Sequence, residues 1–238
     1  MTMCGRFAQI TPSGVLINLF AVTDSLPLQP RYNIAPTQDV ASVRASGHQR
    51  HLALLRWGLV PHWAKDISIG YKTFNARSET VHEKPSFKAA FNLRRCLIPA
   101  SGFYEWDKLG SSRQPYYVSR SDGRPLALAG LWEAWADRLS GELLESCTIL
   151  TTSANQTLGR IHDRMPVILP QSLYEEWLEP VPLDLDRLQE ILVPHPAEGM
   201  DVTTFDGHLY IARRRAEKAL KENDEVFYIP SMSSQVDS

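Results

Sequence analysis

Six short apolar runs constrain the fold more than any other feature of this sequence. They are rich in Leu, Val, Ile and Tyr, and Gly, Ser, Asp and Pro separate them, which is the pattern of β-strands joined by turns. These predicted strands cover residues 39–45, 52–58, 94–99, 115–119, 126–132 and 146–152. Helical patterns are predicted at residues 12–22, 84–92, 171–179, 183–192 and 213–220. Many strands with scattered helices predict an α+β protein with a curved or barrel-like sheet.

Length and composition narrow the class of protein. The chain has 238 residues with ample apolar material for a core and no clear domain break, so we expect one domain over residues 3–228 and a disordered tail over residues 229–238. The formal net charge of -2 gives no overall attraction to nucleic acid, so any such binding needs a local patch. No signal peptide or membrane-spanning apolar run is evident, which predicts a cytoplasmic protein.

The cysteines argue against a metal site. Cys4, Cys96 and Cys147 are odd in number and widely spaced, which favours neither a disulfide framework nor zinc ligation. We therefore expect no metal and no organic cofactor.

Cys4 lies almost at the amino terminus, after Met1, Thr2 and Met3. A cysteine at a free amino terminus carries an amine and a thiol on adjacent carbons. The amine can condense with an aldehyde, and the thiol can then close a thiazolidine ring. An α-amine pKa of about 8 leaves part of it neutral at physiological pH. Initiation at Met3 and removal of that methionine would expose Cys4, whereas processing from Met1 would leave it internal. The alternative is a small buried thiol in a first strand.

Seven strings are far more specific than this background. In order they are Cys4-Gly5-Arg6-Phe7, Arg31-Tyr32-Asn33-Ile34-Ala35-Pro36, Trp57-Gly58-Leu59-Val60-Pro61-His62-Trp63, Asn75-Ala76-Arg77-Ser78-Glu79-Thr80, Gly102-Phe103-Tyr104-Glu105-Trp106, Thr151-Thr152-Ser153-Ala154-Asn155 and Ile161-His162-Asp163-Arg164-Met165-Pro166. Together they resemble the SOS response-associated peptidase (SRAP) family over roughly residues 3 to 170. The resemblance implies packed antiparallel sheets surrounded by helices. It also implies self-removal of the leading segment and covalent cross-linking of the amino-terminal cysteine to abasic sites in single-stranded DNA.

The resemblance implies a catalytic set of Cys4, Asn75, Glu105 and His162. A carboxyl group among aromatic residues, such as Glu105, tends to keep its proton longer and suits acid–base work on the sugar and the imine. The histidine pKa near 6.5 allows His162 to pass protons at neutral pH. Asn75 offers a donor and an acceptor that can position the sugar. Composition alone favours a different interpretation, in which Glu105 is a strand residue paired with an arginine and His162 is a surface or capping residue.

The resemblance also implies a DNA-binding set of Gly5, Arg6, Asn33, His62, Trp63 and Arg77. The guanidinium groups of Arg6 and Arg77 suit flanking phosphates, and a structural salt bridge is the alternative for each, with Glu79 as a partner for Arg77. Trp63, in a loop, offers a ring on which bases stack. Members of the family often carry two adjacent tryptophans here, and His62 replaces the first of them. Asn33 is expected to shape the pocket.

Two other classes of protein stay open at this point. One is a cysteine hydrolase that uses Cys4 and His162 on an amide substrate. The other is a single-strand binding module in which Cys4 is structural, although the acidic balance of charge disfavours it. The preferred partner is single-stranded DNA that contains abasic sites, bound by a monomer without a membrane.

Overall fold

The computed structural model describes residues 4–24, 26–47, 49–107, 114–182 and 184–204. The strands within these residues are β1 (Phe7–Gln9), β2 (Arg31–Ile34), β3 (Asp39–Ser46), β4 (Gln49–Trp57), β5 (Asn75–Arg77), β6 (Arg95–Ala100), β7 (Gly102–Trp106), β8 (Pro115–Arg120), β9 (Leu126–Ala136), β10 (Leu143–Ser153), β11 (Arg164–Pro166) and β12 (Met200–Thr204). The α-helices there are α1 (Ser13–Phe20), α2 (Lys88–Leu93), α3 (Tyr174–Leu178) and α4 (Leu185–Ile191). Short 3-10 helices cover Ile67–Tyr71, Leu158–Arg160 and Gln171–Leu173.

The predicted elements match this structure closely. A strand lies at each of the six predicted places, and a helix overlaps each of the first four predicted helical segments. The predicted helix at residues 213–220 and the predicted tail at residues 229–238 lie outside the described residues. The mixed content and the sheet arrangement confirm the α+β fold class.

The strands form two sheets. One is entirely antiparallel, with the order β12-β8-β7-β1-β2. In the other, β10, β4, β3, β6 and β9 pair in sequence, and β9 pairs back onto β10, so that five strands close into a barrel. Closure removes the exposed strand edges that an open sheet would leave.

Strand β10 departs from the antiparallel expectation. It pairs antiparallel with β9 and β11 but parallel with β4 and β5. The strand is 11 residues long, so each edge accepts two partners in succession: β9 and β11, both antiparallel, on one edge, and β4 and β5, both parallel, on the other. This pairing brings β5, which carries Asn75 and Arg77, against the barrel.

Gln9 ties the two sheets together. Its side-chain nitrogen donates to the carbonyl oxygens of Pro99, at 2.7 Å, and Ala41, at 3.3 Å, and its side-chain oxygen accepts from the Ala41 nitrogen at 3.2 Å. The side chain is buried, and each hydrogen bond joins β1 to a barrel strand. Strand β1, which follows Cys4 directly, is thereby fixed against the barrel.

A buried apolar cluster lies between β1 and one end of the barrel. It includes Cys4, Phe7, Trp57, Phe74 and Ile161. The Trp57 ring contacts the Phe7 and Phe74 rings edge to face at 5.2 and 5.8 Å, and its nitrogen donates to the Phe74 carbonyl at 2.8 Å. Trp57 therefore belongs to the core.

No helix in the described part of the chain is long and apolar enough to cross a membrane.

Candidate functional site around Cys4

Cys4 is fully buried immediately before β1. Burial, and secondly the charge of Glu105, raises the pKa of its thiol well above the usual value. Its backbone φ is +44°, a left-handed conformation that is uncommon outside glycine. The thiol is therefore held neutral in a strained segment, and strained positions concentrate at functional sites.

Strand pairing delivers Glu105 to Cys4. Strands β1 and β7 are antiparallel with Phe7 opposite Phe103, and the Tyr104 nitrogen donates to the Arg6 carbonyl at 2.9 Å. In this register Glu105 lies beyond the first residue of β1, beside the segment that contains Cys4. There its Oε2 accepts a hydrogen bond from the Cys4 nitrogen at 3.1 Å. Glu105 is only 6% exposed. The predicted catalytic nitrogen and the predicted acid–base group are thus in direct contact.

Asn75 and His162 reach the same cluster through their neighbours in the chain. Asn75 lies on β5 opposite Ile149 of β10, and the preceding Phe74 packs in the cluster that contains Cys4. His162 is 6% exposed, and the preceding Ile161 packs in that cluster too. The residues that precede Asn75 and His162 therefore pack in the same apolar cluster as Cys4.

The Nδ1 atom of His162 has a nearby partner whether or not it carries a proton. It lies 3.1 Å from the Arg164 backbone nitrogen, a donor that requires an unprotonated Nδ1. It also lies 2.8 Å from a carboxylate oxygen of Asp163, which requires a protonated Nδ1. The two tautomers of the ring can therefore both be held in place.

Arg6 and Asn33 hold each other. The Arg6 guanidinium donates to the Asn33 side-chain oxygen at 3.1 Å, and Asn33 is buried on β2. Gly5, between Cys4 and Arg6, is half-buried. Because Arg6 has an uncharged partner here, its positive charge is not neutralised by this contact.

Arg77 lies exposed at the end of β5, and its guanidinium makes no hydrogen bond or ion pair with the residues that the structure describes. Glu79, the alternative partner predicted from sequence, is instead bound by Arg164, with 2.8 Å between Nη2 and Oε2. This hydrogen bond is the main cause of the lowered pKa of Glu79. The nearby charge of Arg77 adds a smaller lowering of the same pKa, without a hydrogen bond or ion pair to Glu79.

The loop that carries His62 and Trp63 lies at the surface. Trp63 is 44% exposed, and its ring nitrogen donates to the Pro85 carbonyl at 3.4 Å. The His62 side chain is 59% exposed, and its Nδ1 lies 3.5 Å from a carboxylate oxygen of Glu133. Exposure at both rings is compatible with stacking.

The sequence analysis missed the residues whose side chains or backbone contact His162 and His62. Asp163 and Arg164 adjoin His162 in one of the seven strings, so their position was a usable signal. Glu133 gave none, because it comes from β9, far from His62 in the sequence.

A closed five-stranded barrel with an appended antiparallel sheet, and a buried Cys4 whose nitrogen donates to a strand glutamate, define this α+β protein. The description of the family model that matches residues 3–208 is "SOS response associated peptidase (SRAP)", and the chain belongs to this family.

Named relatives support the assignment. The chain is 43% identical over 203 residues to the abasic site processing protein YoqW of Bacillus subtilis, with 84% of this chain and 90% of the relative covered. It is 33% identical over 182 residues to the abasic site processing protein YedK of Escherichia coli, with 74% of this chain and 79% of the relative covered. A solved protein from Bacteroides thetaiotaomicron superposes with a TM-score of 0.79 at 27% identity, covering 85% of this chain and 92% of that one.

Proposed function

We propose that this protein senses abasic sites in single-stranded DNA and shields them through a covalent cross-link to Cys4. Membership of a family whose relatives are named abasic site processing proteins supports the substrate. The observation that carries the chemistry is the 3.1 Å contact between the Cys4 nitrogen and the Glu105 carboxylate. The functional unit is a monomer in the cytoplasm.

The reaction joins two nucleophiles of one residue to one carbon. The open-chain sugar presents an aldehyde, and the Cys4 amine attacks its carbon to form a carbinolamine. Loss of the hydroxyl group as water gives an imine. The Cys4 sulfur then adds to the imine carbon, its proton ends on the nitrogen, and a thiazolidine ring closes. One molecule of water is released in all.

Glu105 serves this sequence as the proton carrier at nitrogen. Its carboxylate can take a proton from the Cys4 ammonium group, which frees the lone pair for attack. The resulting acid can then protonate the departing hydroxyl group. A contact of 3.1 Å is within the reach that a general acid–base group needs.

The raised pKa of the Cys4 thiol supports a sequence in which the amine attacks before the sulfur. A cysteine hydrolase needs a thiolate, which forms where positive surroundings lower the thiol pKa. Burial and the Glu105 charge raise it at Cys4 instead, which disfavours the hydrolase alternative. The amine therefore reacts first, and the sulfur adds afterwards to an imine that is already electrophilic.

His162 and Asn75 act on the sugar in this proposal. A ring whose Nδ1 has a partner with or without a proton can donate the proton that opens the hemiacetal and take it back when the cross-link reverses. Asn75 positions the sugar. Arg77 and Arg6 bind phosphates, Trp63 and His62 stack on bases, and Gly5 and Asn33 shape the entrance.

Exposure of the amine requires removal of the residues before Cys4, and we propose that this is a self-processing, peptidase-like step. The left-handed φ at Cys4 exists only while a preceding peptide is attached. Cleavage abolishes that torsion, so the strain favours the processed form.

Cross-linking to an abasic oligonucleotide tests the proposal. We expect wild-type protein to give a heat-stable band on a denaturing gel, and Cys4→Ala to give none. Because the mutant keeps its amine, borohydride should still trap part of its imine. Cys147→Ala is the matched control, since Cys147 is also a fully buried thiol of the same cluster. A normal heat-stable yield from Cys4→Ala would rule out the proposed nucleophile.

A further inference from the structure

Strand β9 holds both ends of the exposed His62–Trp63 segment. At one end, Glu133 lies 3.5 Å from the His62 ring, and at the other the Trp135 ring nitrogen donates to the Ala64 carbonyl at 2.9 Å. Residues 133 and 135 share one face of the strand because side chains alternate. Trp63 lies between the two anchored positions.

Further contacts restrict this turn. The Ala64 nitrogen donates to the Pro61 carbonyl at 2.8 Å, and the Trp63 ring nitrogen reaches the Pro85 carbonyl. Trp63 is nevertheless 44% exposed, although hydrogen bonds hold its ring nitrogen and the turn that carries it, and tryptophan is highly buried on average. The arrangement presents an aromatic surface to solvent in a defined orientation.

Glu133 is a carboxylate whose side chain is only 6% exposed. The Arg94 guanidinium donates to its Oε2 at 2.7 Å, and the Ala134 nitrogen donates to its Oε1 at 3.1 Å. The His62 ring approaches the same Oε2 that Arg94 binds. A buried carboxylate with these partners is fixed in place, so its contact with His62 fixes the loop.

We propose that Glu133 is a positioning residue for DNA capture, which holds the His62 end of this turn so that Trp63 meets a base without being reordered. The inference rests on the proposed function, since the base belongs to the single-stranded substrate. Preorganisation of a binding side chain raises affinity by lowering the entropy lost on binding. Glu133 itself contacts no DNA.

The first test measures the turn without DNA. Protein labelled with 5-fluorotryptophan gives one fluorine resonance per tryptophan, and Trp63→Phe assigns the signal of Trp63. We expect Glu133→Gln to shift and broaden that resonance, and Glu145→Gln to leave it unchanged. Glu145 is the matched control because it is also a strand glutamate paired with an arginine, Arg44. An unchanged Trp63 signal in Glu133→Gln overturns the inference.

The second test measures binding and chemistry separately. We expect Glu133→Gln to weaken affinity for an intact single-stranded oligonucleotide by about threefold to tenfold, a part of what stacking on one ring contributes. Cross-linking at saturating protein should keep its wild-type rate. A double-mutant cycle of Glu133→Gln with His62→Ala should show that the two effects on affinity are coupled.

Failure of the inference and of the proposed function are distinguishable. Unchanged affinity in Glu133→Gln, with normal cross-linking by wild type, overturns the positioning role and leaves the function standing. Wild-type protein that neither binds nor cross-links single-stranded DNA overturns the function, and with it this role for Trp63.

Discussion

At the scale of single residues, the contact between Cys4 and Glu105 carries the proposed chemistry. Glu105→Gln keeps nearly the same shape but cannot exchange a proton, so we expect the single-turnover rate of cross-linking to fall by about 10²-fold or more. Because the loss is in the chemical step, it should persist at saturating protein. A mutant that reacts at the wild-type rate when saturated would make Glu105 structural and His162 the main acid–base group.

A substitution of Arg77 should have the opposite kinetic effect to Glu105→Gln, because it should change binding rather than the chemical step. The Arg77 guanidinium makes no hydrogen bond or ion pair with the described residues, whereas Glu79 is bound by Arg164. Arg77→Ala should weaken capture of abasic DNA, with most of the loss recovered at lower salt or higher protein concentration. The slope of affinity against salt should also fall by about one phosphate contact. Wild-type affinity at every salt concentration would exclude a role in DNA binding.

Single residues also show what the sequence could and could not predict about the site. Cys4 and Glu105 were identifiable from their strings, and the structure places them in contact. The partner of Glu79 was not predictable, because Arg77 is only two residues away in sequence, yet Arg164 binds Glu79 from another strand. Glu133 was invisible for the same reason. Side-chain partners across a fold follow from strand register, which a single sequence does not specify.

At the scale of elements, the contact between β1 and β7 positions the site, and Gly102 on β7 lets the neighbouring strand β8 pack closely at that point. Gly102 pairs with Ala8, and a Cβ on it would lie 2.4 Å from the Tyr117 ring and 2.6 Å from the Val118 carbonyl oxygen. We expect Gly102→Ala to destabilise the protein by about 1–3 kcal/mol and to slow cross-linking, because β7 must shift away. Thermal unfolding and cross-linking rates measure the two effects.

Gly14 provides the matched control. It lies in α1, and a Cβ there would meet nothing within 4 Å. Gly14→Ala should stabilise the protein by up to about 1 kcal/mol, since glycine lowers helix stability, and should leave cross-linking unchanged. Equal effects from both substitutions would mean that the β1–β7 contact does not control the site.

The long strands were predictable from sequence and the short ones were not. Strands such as β9 and β10 span 11 residues each and give clear apolar runs. Strands β1, β5 and β11 have three residues each, too few for an alternating pattern to show. The parallel pairing of β10 with β5 was also hidden, because the two strands are far apart in the sequence.

At the scale of the whole molecule, carboxylates held by hydrogen bonds predict how stability depends on pH. In the folded state the pKa values of several aspartates are lowered, mainly by hydrogen bonds from backbone nitrogens, serine or arginine; these are Asp24, Asp66, Asp122 and Asp137. Their stabilising effect is complete above the unfolded aspartate pKa of about 4 and is lost as pH falls through the lower folded values.

We therefore expect the melting temperature to change little between pH 6 and pH 8 and to fall below about pH 4. Thermal unfolding monitored by circular dichroism across this range provides the measurement. A melting temperature that rises as pH falls from 4 to 3 would contradict the assignment of these hydrogen bonds.

Mass spectrometry of the protein–DNA adduct tests the central claim most directly. We expect an intact mass equal to the chain from Cys4 onward plus the abasic oligonucleotide, less one water. After digestion, the modified peptide should begin at Cys4, and its sulfur should resist alkylation because it lies in the thiazolidine ring. An adduct that retains Thr2, or that is attached to a lysine with a free Cys4 thiol, would contradict the proposed chemistry.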